Sequence, residues 1–281
     1  MDWLRLLDLE KFLLFTLVLT RLSGLTITAP IYGNKDVPMQ VRVFLAVALA
    51  MLIAPTQWNR PLEYPGTTLN YLVLVGSELL VGLCLGLGVT ILFSGVQLAG
   101  GLVGRVGGLL LADVFDPNAE AEVPLFSRLM LLVTLAVFVC IGGHRILMAG
   151  LLDTFQTIPP GQDPLLLGTF TPITPDCNLA EQPVAKMFIE LLTASFNLGI
   201  RAAVPVVTAL LLSILVLGLI GRTLPQLNIL MVGFGLNSML AFATLSLTLG
   251  AAVWLFQDKI QFAINTVLEV LHTPLQTQWL S

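Results

Sequence analysis

Apolar residues run through this chain in long blocks, unlike the narrow apolar stripe of a water-soluble surface helix. A helix that crosses a bilayer needs about 20 mostly apolar residues. Six stretches reach or approach that length. They are Phe12 to Ile31, interrupted by Arg21; Val37 to Trp58, shorter and with Arg42 in its first turns; Leu69 to Phe93, with Glu78 inside; Leu129 to Leu147; Leu191 to Gly221, with Arg201 inside; and Ile229 to Phe256, which carries no charge. The pattern predicts an all-α, polytopic integral membrane protein with residues 1–281 forming one membrane domain.

The segments between these blocks differ in kind. Tyr32 to Pro38 is a tight turn with Gly33, Asn34 and Pro38, and Gln57 to Thr68 is a polar loop with Pro61 and Pro65. Ser94 to Phe126 is glycine-rich and then acidic, and is expected to be a connection. Residues 155–183 hold Pro159, Pro160, Pro164, Pro172, Pro175 and Pro183, a density that excludes a helix and predicts a loop outside the bilayer. From residue 257 to 272 the pattern becomes amphipathic: Asp258, Gln261, Asn265 and Glu269 share one stripe of a predicted helix that packs on a partner or an interface. Lys and Arg are too sparse and too evenly spread to give a membrane orientation. No tandem repeat is visible.

Composition sharpens the membrane reading. The 281 residues are 56% hydrophobic and only 11% charged, against about 25% charged in soluble domains. That is too little charge to coat a water-exposed globule. A net charge of -4 without a basic cluster excludes nucleic acid as the expected partner. Cys84 and Cys140 lie in apolar runs and read as small core residues, with Cys177 apart from them. Asp2, Arg5, Asp8, Glu10 and Lys11 make a mixed-charge entry, unlike the basic start of a cleaved signal, so the first apolar run is expected to be retained.

Catalytic chemistry has no visible constellation. GxxxxGK[ST], GxSxG, HExxH and CxxC are all missing, and His144 and His272 stand alone. The expectation is a protein that is not an enzyme and uses no cofactor or metal. The notable positions are charges at membrane depth, Arg21, Glu78, Arg105, Arg201 and Arg222. Such charges face protein or water, as a polar pathway or an inter-subunit ion pair, unless they snorkel from a helix end. Gly100, Gly104 and Gly108 recur every fourth residue, with Gly101 and Gly107 beside them. On a helix they form a flat stripe for close packing. The same glycines also lower helix stability, which suits a segment that changes shape. Gly82 and Gly86 form a second small-residue pair. Pro225 interrupts helical hydrogen bonding between two apolar runs, with Gln226 and Asn228 able to satisfy freed backbone groups.

Several of these motifs, in this order, resemble the FliR/SpaR family of type III export proteins. They are Arg21-Leu-Ser-Gly24, Ala29-Pro30-Ile-Tyr-Gly33, Val37-Pro38 with Val41-Arg42, and Glu78-Leu-Leu-Val-Gly82 with Gly86. Gln97-Leu-Ala-Gly100, Phe115-Asp-Pro117 and Gly142-Gly-His-Arg145 follow. Gly221-Arg-Thr-Leu-Pro-Gln-Leu-Asn228 with Gly233-Phe234 is the most specific. The resemblance covers about Arg21 to Gly250. Three features depart from the family pattern: Gly101 stands where a polar residue is usual, Arg105 sits inside the glycine segment, and the Pro-rich loop is longer.

The resemblance implies bent helical hairpins and a subunit of the flagellar export gate. That gate is a hetero-oligomer with P- and Q-type subunits, among other flagellar export apparatus proteins, in the inner membrane within the basal body. Unfolded flagellar substrates pass through its pore. It also implies a pore plug over residues 100–121, with Gly100, Gly101, Gly104, Arg105, Gly107, Gly108, Asp113, Asp116 and Pro117. Arg21, Arg42, Glu78, Arg201, Arg222, Pro225, Gln226 and Asn228 would serve assembly. The same subunit of a virulence injectisome is the near alternative. A small-molecule transporter would want paired broken helices and a midplane site, and no repeated halves are present.

Overall fold

The computed structural model describes residues 9–33, 37–58, 67–108, 125–161, 183–224, 226 and 229–277. These residues form seven helices and no strand: α1 (Leu9–Thr28), α2 (Met39–Gln57), α3 (Thr68–Val106), α4 (Leu125–Cys140), α5 (Gly143–Thr157), α6 (Pro183–Thr223) and α7 (Ile229–Thr277). Five of the helices are long and apolar enough to cross a membrane, and the broken pair α4 and α5 makes a sixth. The chain is an all-α, polytopic membrane protein.

Local chemistry sets several helix ends. Pro38, at φ -55° and ψ 139°, precedes α2, and Arg42 donates from Nε and Nη2 to the Val37 carbonyl at 3.2 and 3.0 Å. α3 stops where Gly108 adopts φ 78°, a conformation that glycine reaches without steric cost. Pro183 opens α6, where its missing N–H removes no helical bond.

Four boundaries differ from those the sequence predicts. α3 runs for 39 residues and absorbs Ser94–Val106, part of the expected connection. Glycine disfavours helix by about 1 kcal/mol per residue, but here Gly95 and Gly100 lie against neighbouring backbone, and packing overrides propensity. The predicted span from Leu129 to Leu147 is broken, because Gly142 is left-handed at φ 73°. α6 begins eight residues earlier than expected, at Pro183 rather than Leu191. The last span and the amphipathic tail are one 49-residue helix.

The chain divides into two compact units. The first comprises Met1–Thr90, Gly142–Leu191 and Gln261–Ser281, and the second Ile91–Ile141 and Leu192–Ile260. In the first, α1 packs on α2 and lies against α3 through glycines. A Cβ on Gly24 would stand 2.6 Å from the Leu79 carbonyl oxygen, and one on Gly82 would collide with the Arg21 carbonyl oxygen. The end of α7 buries Ala263, Ile264, Val267 and Leu271. Its Val267 meets Gly88 and its Ile264 meets Gly150, while Gln261, Asn265 and Glu269 face outward. The amphipathic tail thus packs within its own chain.

The second unit has a core of Val103, Phe126, Val206, Leu210 and Ala241. Phe93 packs edge-on to Phe138 and Phe256, with ring centroids 5.5 and 5.3 Å apart. Gly95 closes on Ser195 and Gly199, and Ser195 Oγ donates to the Ile91 carbonyl at 2.6 Å. Within this unit α6 and α7 form an antiparallel hairpin, tied by Ser213 Oγ donating to Asn237 Oδ1 at 2.7 Å.

Candidate functional site

Among the described residues, the most concentrated polar site lies in the first unit, at Arg21 and Glu78. Arg21 sits on the face of α1 that also buries Leu17, Val18, Leu22 and Leu25. Both charged residues have no exposed surface, so each must be compensated by protein. Arg21 Nε donates to Glu78 Oε2 at 2.5 Å. Its Nη1 reaches Thr154 Oγ1 at 3.3 Å, and Nη1 and Nη2 both reach the Ile158 carbonyl at 3.1 Å. The Phe155 ring lies 4.4 Å from the guanidinium carbon, a cation–π contact. The other carboxylate oxygen, Glu78 Oε1, accepts the Gly161 amide at 3.2 Å.

The end of α5 supplies what this pair needs. Ile158 leaves the helix at φ -119° and ψ 91°, so its carbonyl has no intrahelical partner to lose. Gly161 takes φ 91°, a turn that glycine makes without strain. The result is a fully satisfied node joining α1, α3 and the first turn of the Pro-rich segment. Arg21 and Glu78 therefore pair inside one chain. The spacing of the chemistry matters here: 57 residues separate the pair and 137 separate Arg21 from Ile158. No local motif announces Thr154, Phe155, Ile158 or Gly161 as partners.

The glycine segment divides into two parts. Gly100 is buried, and a Cβ there would stand 2.5 Å from the Phe126 carbonyl oxygen and 2.6 Å from Ser127 Cα. Beside it Ser127 Oγ donates to the Gln97 carbonyl at 2.9 Å, and a Cβ on Gly101 would meet Ser127 Oγ at 3.3 Å. Gly104 is buried in α3 and Arg105 is exposed. The helix then tightens: the Gly107 amide bonds the Val103 carbonyl at 2.9 Å and the Gly108 amide bonds the Arg105 carbonyl at 3.3 Å. Asp113, Asp116 and Pro117 lie outside the described residues.

The other predicted positions do not converge. Arg42 serves the start of α2, while Arg201, Arg222 and Gln226 are exposed. Pro225 and Asn228 lie outside the described residues. Asn237, an amide in an apolar run, was a legible signal for the Ser213 bond. Burial pushes the Tyr32 phenol above its usual range. Among the described residues no group of three His, Cys, Asp or Glu is placed to hold a metal.

Comparison with known proteins places this architecture in context. The model of the bacterial export proteins, family 1, matches residues 12–263. The flagellar biosynthetic protein FliR of Bacillus subtilis is 29% identical over 94% of this chain and 96% of its own length. The protein of that name from Escherichia coli is 32% identical over 78% of this chain and 77% of its own. That of Aquifex aeolicus is 29% identical over 85% and 87%.

Proposed function

We infer, from the premise that this chain belongs to the FliR family of bacterial export proteins, that it is a subunit of the flagellar protein export gate. In this reading it forms, with P- and Q-type subunits, the pore through which unfolded flagellar proteins cross the inner membrane. It works by binding and shaping a passage, not as an enzyme. The observation that carries the reading is the near full-length match to flagellar relatives. The apolar faces of α6 and α7, with Leu212, Leu215, Leu219, Met231 and Met239 each at least 60% exposed, support it, since a polytopic chain with such faces needs lipid or partner subunits around it. Every curated relative described above is flagellar by name, which favours that system over an injectisome.

The pore closure is assigned, as part of the same proposal, to residues 100–121. Gly100 and Gly104, buried in α3, would anchor it, and α3 ends at the left-handed Gly108. Deleting residues 104–108 should leave a complex that assembles but leaks small ions. The test measures complex recovery and membrane conductance in one strain. A complex that fails to form, or one that forms and stays tight, overturns this assignment. For the gate itself, the chain is co-expressed with P- and Q-type proteins in gentle detergent and weighed by native mass spectrometry. A hetero-oligomer and restored motility in a deletion strain are expected. A stable, monodisperse monomer that transports a small solute would overturn the gate.

A further inference from the structure

Inside the second unit lies an apolar cavity that the export reading does not use. Its volume is about 40 Å³, several times the roughly 10–15 Å³ that one water needs. Val96 of α3, Met130 and Val137 of α4, Leu198 of α6, and Leu245 and Phe256 of α7 line it, and all of them belong to this unit. The space has a cause in the sequence. At one end Leu245 packs on the core of Phe126, Leu210 and Ala241. At the other, Phe256 packs edge-on to Phe93. Between these two packed groups the lining side chains are short: Thr134, Ala202, Thr248 and Ala252. A close-packed interior would be filled there, and four small residues leave it open.

The chemistry of the lining selects the ligand. Its two hydroxyls are engaged on their own helices. Thr134 Oγ1 donates to the Met130 carbonyl at 2.7 Å, and Thr248 Oγ1 donates to the Thr244 and Leu245 carbonyls at 2.9 and 3.2 Å. Water held in a cavity needs about two to four polar partners, and this lining offers no charge and no free hydroxyl hydrogen. Apolar cavities stay dry and take apolar molecules. Shape narrows the class further. The lining follows α7 from Leu245 to Phe256, about 16 Å of helix. That is about half of the hydrocarbon core, the depth of one leaflet. Nor is the cavity sealed: Val133 and Val137 on α4, and Ala252 and Val253 on α7, are only half-buried. Next to Val133 on α4, the exposed Leu132 and Ala136 are apolar too. A site for a protein partner's anchoring side chain has a polar rim, whereas this one is elongated and its α4 edge is apolar.

We propose that this cavity is a binding site for one acyl chain of a membrane phospholipid, which enters between α4 and α7 and lies along Thr248 and Ala252. A short run of methylenes fills the enclosed depth, and the remainder of the chain follows the open side. The bound chain completes the packing between the two cores. The site is independent of the pore reading, because none of its lining residues lies in the segment assigned to pore closure.

The test uses the full-length chain in its complex with the other export subunits, in vesicles of phosphatidylethanolamine and phosphatidylglycerol. Part of the phosphatidylethanolamine carries a photoactivatable diazirine midway along one acyl chain. After irradiation, adducts are mapped to residues by mass spectrometry. In the unaltered chain, adducts on the buried Thr134 and on Thr248 or Ala252 are expected, and their absence overturns the proposal. Ala252→Leu fills the cavity. It should lower the yield on Thr134 and Thr248 roughly tenfold, relative to adducts on the rest of the chain; an unchanged ratio overturns the proposal. The neighbour is then identified from the protein side, with benzoylphenylalanine replacing Val133. A phospholipid adduct is expected. An adduct with another export subunit, or with residues 109–124 of this chain, means that protein fills the cavity and overturns the proposal.

Discussion

The α1–α3 contact of the first unit and the α6–α7 hairpin of the second are both made of aliphatic residues and glycine, and they use them differently. In α1–α3, Gly24 and Gly82 sit where a methyl group would strike the opposite backbone, and the helices approach closely enough to seal a charge pair. In the hairpin, Gly218 and Gly235 have nothing within 4 Å of a would-be Cβ. The apolar spans tell the same story: 44% and 61% buried in α1 and α3, against 22% in α6 and in the Met231–Thr248 part of α7. Glycine is therefore a poor guide to packing on its own. It marks close approach only where a partner backbone is present, and the first contact is self-sufficient while the second is completed by its surroundings.

The sharpest way to break this contrast is to remove half of the buried pair. Arg21→Ala or Glu78→Ala leaves an uncompensated charge and should cost about 3–5 kcal/mol, enough to abolish accumulation of the chain. Arg21→Met with Glu78→Met together should recover much of that loss, since a buried pair is often replaceable by apolar residues of similar size. Accumulation in membranes and thermal unfolding of the detergent-solubilised chain measure both. A double variant as poor as the singles would show that the Ile158 and Gly161 contacts, and not the charges alone, hold the node.

A smaller effect separates the two kinds of glycine. Gly82→Ala should destabilise by roughly 1–3 kcal/mol, because the methyl overpacks the α1–α3 contact. Gly218→Ala, with open space around it, should be neutral or gain up to about 1 kcal/mol from helix propensity. Equal melting shifts for the two would remove the distinction drawn above. The smallest expected change is Ser213→Ala, which loses the bond to Asn237. Interhelical hydrogen bonds in membranes average about 0.6 kcal/mol. A loss of several kcal/mol, read by the same melting assay, would mean that the hairpin depends on this bond more than on its apolar contacts.

Much of this was legible in sequence, for physical reasons. The spans announce themselves because hydrocarbon demands unbroken apolar runs, and Arg21 and Glu78 stand out because a charge there needs a cause. Helix ends were less legible. Proline density alone placed the start of the loop at residue 155, yet α5 runs to Thr157 and turns at Pro159 and Pro160. Ser94–Val106 resembled a connection because glycine signals flexibility locally. Only the backbone of Phe126 and Ser127 lying against Gly100 shows why the helix persists. The partners of the charge pair could not be read at all, since a carbonyl at a helix end and an amide in a turn carry no side-chain signature.

The Arg21–Glu78 node also bears on how the chain is made. A ribosome adds roughly 5–20 residues per second. Arg21 therefore waits several seconds for Glu78, 57 residues later, and longer for Ile158, 137 residues later. During that time the first helix carries an unpaired cation, which the hydrocarbon disfavours by about 2.5–3.5 kcal/mol on insertion scales. The first helix is then expected to stay beside the insertion machinery until the third arrives. Crosslinking of ribosome-bound chains checks this: a probe near Arg21 should still react with the insertion channel in chains that end before Glu78, and should cease to do so once the α5 turn has emerged. A probe already clear of the channel before Glu78 is synthesised would show that the cation finds an earlier, temporary partner.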